Sequence, residues 1–177
     1  MNFINIIVQA VIVAYRAILA LNLKTKVKPK LEPGASPQRV SDTTLIREFE
    51  GLRLEAYRDI VGVFTIGYGH TKTAKLGMKI TERGAEELLI TDLKWVEETI
   101  NKNVKFKLTQ NQYDALASFI YNVGGTAFVK STMLKKLNAS DYDGASKEFR
   151  RWNKAGGQVI NGLVRRRRAE QKMFNRK

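Results

Sequence analysis

Cysteine is absent from this chain, and histidine occurs once, at His70. The fold therefore forms without disulfides, thiolate chemistry is excluded, and a structural zinc site has too few Cys and His ligands. We expect neither a metal nor a cofactor. Proline is scarce, and all three (Pro29, Pro33, Pro37) fall in one short stretch. Acidic residues are in deficit: 17 Asp and Glu face 31 Lys and Arg, a formal net charge of +14 over 177 residues. Charge this far from neutral implies an anionic partner. Nucleic acid, anionic lipid and the acidic bacterial envelope all qualify, so charge alone does not choose. The length suits one globular domain with its own core, plus a tail.

Residues 1–23, MNFINIIVQAVIVAYRAILALNL, hold a single charged side chain, Arg16. The run is about long enough to span a bilayer as a helix. At ~100° per residue, Asn2, Asn5, Gln9 and Arg16 share an arc of roughly 60° on a helix whose remaining circumference is apolar except for Asn22. Four readings stay open. A weak membrane anchor is the first. A cleaved signal peptide is the second, against which stand the missing basic start and the missing A-x-A site. A helix in the membrane interface is the third, although such helices carry a wide charged face. A helix packed on the protein's own surface is the fourth. Lys24, Lys26, Lys28 and Lys30 follow the run, whereas the positive-inside rule puts basic residues before it for a domain that faces outward.

Residues 24–42 hold the prolines, lack apolar periodicity and read as a linker. From residue 43 to 177 the texture is globular. Asp42 is placed to cap a short helix carrying Leu45, Ile46 and Phe49. Residues 56–71, rich in Val, Ile, Thr and aromatics with glycines between, read as a small β-meander. Thr81 caps a long helix with Ala85, Leu88, Leu89, Leu93, Val96 and Ile100 at helical spacing. Thr109 and Gln112 form a capping box before a helix that ends at Gly124–Gly125. Ser131 and Asp141 cap two more, and 163–174 read as a terminal helix. The expected fold class is α+β: a small antiparallel sheet lobe, a larger helical lobe and an extra N-terminal helix.

The chemistry sits in FEGLRLEAYRDIVGVFTIGYGHT, residues 49–71. Glu50 ends the first helix, before the natural stop Gly51. Asp59 lies nine residues on, in the turn region of the meander, and Thr65 six beyond that, on a strand. Passing from helix to hairpin, the two carboxylates can reach opposite walls of a cleft. Glycosidic cleavage needs that arrangement: one carboxylic acid to protonate the leaving oxygen and one carboxylate near the anomeric carbon. A threonine hydroxyl nearby can hold a water. Two acids and a threonine are a weak signal alone, since a solvated Glu, a turn Asp and a strand Thr would look the same.

The surrounding words sharpen it. E-G-L-R-L-x-A-Y-x-D-x-x-G-x-x-T-I-G-Y-G-H-T closely resembles the catalytic segment of the phage lysozymes, glycoside hydrolase family 24. The likeness continues through MKITERGAEELLITDLKWVEETI, through the Y-N-V-G word at residues 121–124, and through RRWNKAGGQVINGLVRRRRAE, so that it covers about residues 43–177. Some members carry an N-terminal signal-anchor that later leaves the membrane, and residues 1–23 look like one.

This resemblance implies a lysozyme-like fold and hydrolysis of the β-1,4 bond between N-acetylmuramic acid and N-acetylglucosamine in bacterial peptidoglycan, with inversion. It implies Glu50 as general acid kept protonated by apolar neighbours, Asp59 as the carboxylate that orients water or stabilises the oxocarbenium-like charge, and Thr65 as the holder of the attacking water. For an inverting site the Glu50 and Asp59 carboxyls are expected roughly 6.5–9.5 Å apart. Tyr121 and Asn122 are candidates for binding substrate opposite Glu50. His70 is expected to pair with Asp92 on the long helix in a contact that favours its charged form. Trp95 and Trp152 are read as core and Glu48 as solvated, while the Arg165–Arg168 run stays open between phosphate or nucleic-acid binding and a solvated helix face near an anionic polymer. The expected partner is peptidoglycan, with association to the inner membrane through residues 1–23, no nucleic acid, and a monomeric state. Synthesis is in the host cytoplasm and action in the periplasm. Two rivals from other classes are a nucleic-acid binder, resting on charge alone, and a membrane-active peptide carrier, resting on residues 1–23 and the basic terminal helix.

Overall fold

The computed structural model describes residues 38–59 and 62–176. The expected apolar helix at 1–23 lies outside them, as does most of the stretch read as a linker.

Helix α1, Thr44–Glu50, opens as expected on Asp42: the Thr43 side chain makes no cap bond, and Asp42 Oδ1 accepts from the Thr44 N–H at 2.9 Å. It stops at Gly51, whose φ of +70° suits glycine and whose N–H returns to Arg47 O at 3.0 Å. Strands β1 (Arg53–Arg58) and β2 (Phe64–Gly67) then pair antiparallel, with Tyr57 opposite Thr65 and Arg58 opposite Phe64. The sheet begins three residues before the expected meander. Leu54 and Glu55 gave no apolar alternation because β1 is mostly solvent-exposed. Its backbone is satisfied by the neighbouring segment as well: Ala56 N–H donates to Met78 O and Ile80 N–H to Leu54 O, both at 2.9 Å.

The helical lobe follows. Helix α2, Glu82–Asn103, is capped by Thr81, whose side chain accepts from the Gly84 N–H, and it buries Ala85, Leu89, Leu93, Val96 and Ile100 along one stripe. Helix α3, Gln110–Val123, carries the expected capping box and is buried on all sides from Gln112 to Ile120. An all-round buried helix is a central one, and α3 packs against α1, α2 and the last helix. It ends at Gly124. Helix α4 (Gly125–Val129), α5 (Thr132–Asn138, capped by Ser131) and α6 (Tyr142–Glu148, capped by Asp141) lead to a 3₁₀ turn at Phe149–Arg151. A two-residue-per-strand hairpin, β3 (Lys154–Ala155) and β4 (Gln158–Val159), precedes α7, Asn161–Phe174. Phe119, Phe149 and Phe174 pack edge to face at the centre of the core, where Trp152 also meets Phe119.

Residues 38–42, read from the sequence as the end of a linker, are seated on this lobe. The Ser41 N–H and hydroxyl both donate to Asp114, the Val40 N–H donates to Glu97, and Gln38 O accepts from Tyr113 and Asn101. The folded unit therefore begins by residue 38 rather than at 43.

Candidate active site

Glu50 is delivered by the end of α1, and two other parts of the chain meet its carboxylate. Arg166, from α7, donates through Nη1 to Oε1 at 2.6 Å. On the other side the backbone of Gly69 closes in: a Cβ at this position would stand 3.5 Å from Glu50 Oε2, and φ is +91°. A glycine fits here because it adopts that dihedral without strain. Beside the expected apolar neighbours and partial burial, Glu50 thus has an ionic partner. Phe49 lies near, with the Arg166 guanidinium 5.6 Å from its ring centroid, but the carboxylate itself is ion-paired.

Asp59 and Thr65 share the β1–β2 hairpin. Asp59 pairs with Val63 through two bonds: its N–H donates to Val63 O at 2.9 Å, and its Oδ1 accepts from the Val63 N–H at 2.8 Å. With Tyr57 opposite Thr65, this register puts residues 57, 59, 63 and 65 on one face of the ribbon. Asp59 and Thr65 are then diagonal neighbours on that face, a relation that places Cβ atoms roughly 7–8 Å apart. Thr65 is buried, and its hydroxyl makes a long contact to Val63 O, 3.4 Å.

The turn from β2 to His70 is fastened to two helices. The Tyr121 hydroxyl, from α3, donates to Tyr68 O at 2.8 Å, and the Tyr121 ring reaches Gly69. Burial, then the charges of Asp92 and Glu50, push the Tyr121 phenol up, so it remains a donor. Trp95 of α2 stacks on this ring at 6.4 Å between centroids and packs against the core, in keeping with its reading as a core residue. His70 meets Asp92 as expected, Nδ1 to Oδ2 at 2.7 Å. On the other side of the ring, Nε2 meets Thr73, 3.1 Å from its N–H and 2.8 Å from its hydroxyl. Among the described residues no group of three His, Asp or Glu side chains is placed to hold a metal.

Residues 47–170 match the family profile described as phage lysozyme. The chain belongs to the phage lysozyme family. It is 48% identical over 134 residues to an endolysin of Acyrthosiphon pisum secondary endosymbiont phage 1, across 73% of this chain and 92% of that one. It is 42% identical over 138 residues to a SAR-endolysin of Escherichia phage Mu, across 78% and 80%. Among solved structures, a P22 lysozyme mutant superposes with a TM-score of 0.71 at 42% identity, across 77% of this chain and 98% of that one.

In this phage lysozyme the arginine run is divided between solvent and the protein interior. Arg165 and Arg168 are exposed, but Arg166 and Arg167 are buried, so the run is not a uniformly solvated face. Both buried arginines are organised by Glu170, one turn on. Arg166 Nε donates to Glu170 Oε1 at 3.1 Å and its Nη2 to Ser118 O at 3.1 Å. Arg167 Nε stands 3.2 Å from Glu170 Oε2, too oblique for a hydrogen bond, and Arg167 Nη2 donates to Asn122 Oδ1 at 2.6 Å. Burial pushes the Arg167 guanidinium down to about 10, against the pull of Glu170. It also pushes the Glu170 carboxyl up, against both arginines. The signal was present in the i,i+3 and i,i+4 spacing of Glu170 from Arg167 and Arg166, but four consecutive like charges masked it.

Proposed function

We propose that this phage lysozyme is an endolysin-type muramidase of glycoside hydrolase family 24. It hydrolyses the β-1,4 bond between N-acetylmuramic acid and N-acetylglucosamine of peptidoglycan, with inversion, and so lyses the host for phage release. The observation that carries the reading is the placement of the Glu50 carboxylate against the turn that follows β2, the strand whose hairpin with β1 bears Asp59 and Thr65 on one face. Arg166 occupies Oε1, which leaves Oε2, on the Gly69 side, as the oxygen that carries the proton. Glu50 gives this proton to the glycosidic oxygen as its bond to C1 breaks. Asp59 and Thr65 hold a water between them, and it attacks C1 from the opposite face while Asp59 takes its proton. Tyr121 and Asn122 line the substrate side of α3. The charge of +14 suits an anionic cell wall. The protein acts as a monomer, without metal, cofactor or nucleic acid.

Digestion of purified peptidoglycan tests this. The reading requires products ending in reducing N-acetylmuramic acid by mass spectrometry, with the α-anomer formed first by NMR. Reducing N-acetylglucosamine ends, or released peptides alone, would overturn the bond assignment, and a first-formed β-anomer would overturn inversion.

The likeness to a SAR-endolysin favours a second element: residues 1–23 tether the enzyme to the inner membrane before it acts in the periplasm. Among the described residues no helix is long and apolar enough to cross a membrane, and residues 1–23 are not among them. Fractionation before lysis should find the full-length chain with membranes, and dissipating the membrane potential should move it, uncleaved, to the soluble periplasm. A chain soluble in the cytoplasm throughout would overturn the tether.

A further inference from the structure

We propose that Arg167 is a positioning residue that locks the Asn122 amide with its Nδ2 donors toward the substrate, where they bind the acetamido carbonyl of an N-acetylhexosamine. The inference deepens the muramidase reading and rests on it.

A guanidinium has only N–H donors. The 2.6 Å contact between Arg167 Nη2 and Asn122 therefore fixes which end of the amide faces the protein: the carbonyl oxygen points inward and the NH₂ group points away. Asn122 is exposed at the end of α3, next to Tyr121, which reaches Gly69 beside Glu50. The Asn122 NH₂ makes no hydrogen bond among the described residues, so both of its donors are available to a ligand. A free asparagine amide could turn either way and recognise donors or acceptors alike. This one presents donors alone, which selects a carbonyl over a hydroxyl or amine acting as donor.

Arg167 cannot turn away. It is fully buried, its guanidinium lies 4.9 Å from the Phe119 ring centroid, and Glu170 holds it from the other side. Its Nε and Nη1 have no hydrogen-bond partner among the described residues. An arginine this poorly served is a costly thing to bury for stability alone. Glu170 holds two adjacent arginines, and each ends on a different residue of the site: Arg166 on Glu50, Arg167 on Asn122. The acetamido group is what separates the peptidoglycan sugars from plain hexoses, and its carbonyl is the acceptor such a donor pair would read.

Asn122→Asp tests the idea, because it keeps an oxygen for Arg167 and removes both donors. We expect an unchanged melting temperature or a higher one, little change in kcat, and a rise in KM of about tenfold, the size of one lost hydrogen bond. Competition with neutral tetrasaccharides supplies a readout that a structural role would not move. Wild type should be inhibited more strongly by chitotetraose than by cellotetraose, and Asn122→Asp should lose most of that preference. A wild type with no preference, or a variant that retains it, overturns the proposal. A wild type that releases no muropeptides overturns the muramidase reading instead, so the two failures are distinct.

Discussion

Arg166 Nη1 and Glu50 Oε1 stand 2.6 Å apart although 116 residues separate them in sequence. The contact joins the last helix to the end of the first and sets the orientation of the carboxylate on which the proposed chemistry depends. Arg166 is nearly inaccessible to solvent, while Glu50 keeps about a fifth of its side-chain surface, 22%. One end of the pair is sealed in the protein and the other is open to solvent.

Glu50→Gln should reduce lysis by on the order of 10²–10⁴-fold, the usual contribution of a general acid. The amide oxygen still accepts from Arg166, so the thermal transition should stay close to that of wild type. Turbidity and muropeptide release, read beside circular dichroism, check both halves. A variant that keeps a large share of activity removes Glu50 from the acid role.

Arg166→Ala should be the most destabilising single change in the site. It leaves the buried Glu170 carboxylate with the Ser118 hydroxyl, 2.9 Å from Oε1, and the oblique contact to Arg167, and strips Glu50 of its partner. Breaking a buried ion pair by removing one member costs about 3–5 kcal/mol. Urea unfolding measures it. A loss under about 1 kcal/mol, the size of an exposed pair, would mean that the cluster is not stabilising in the way its geometry implies.

Gly69→Ala introduces a side chain at φ +91°, against Glu50 Oε2. Strain at such a dihedral is of order 1–3 kcal/mol, and relief of it moves the turn that also carries Tyr68 O and His70. We expect a lower melting temperature and a fall in kcat larger than the change in KM. Wild-type kinetics in this variant would show that the close approach of the turn is unimportant to Glu50.

Asp42 offers a pH dependence whose sign is fixed. The Thr44 hydroxyl, then the Thr44 backbone N–H, hold its carboxyl below the ordinary value of 3.8. A depressed carboxyl contributes stability above its unfolded value and loses it as pH falls through the folded one. The stability difference between wild type and Asp42→Asn should therefore be constant near neutrality and shrink as pH drops below about 4. Denaturant titrations at several pH values measure it, and a difference that instead grows in acid would reverse the assignment.

Local rules made much of this protein readable in advance. The caps at Asp42, Thr81, Thr109, Ser131 and Asp141, and the stops at Gly51 and Gly124, depend on backbone groups within a few residues, so the one-dimensional order carries the information. The Glu50, Asp59, Thr65 spacing is different: alone it is a weak signal, and the resemblance of the words around it singled those residues out. What the sequence could not decide was where charge is buried. Arg165 and Arg166 are neighbours in sequence, yet one is solvated and the other sealed beneath Glu50, because α7 presents one face to α3 and the other to water. Residues 38–42 look like linker in composition and are held by side chains 57 to 75 positions away. In each case the outcome rests on a partner distant in sequence, which only the packing of α2, α3 and α7 brings within a hydrogen bond's length.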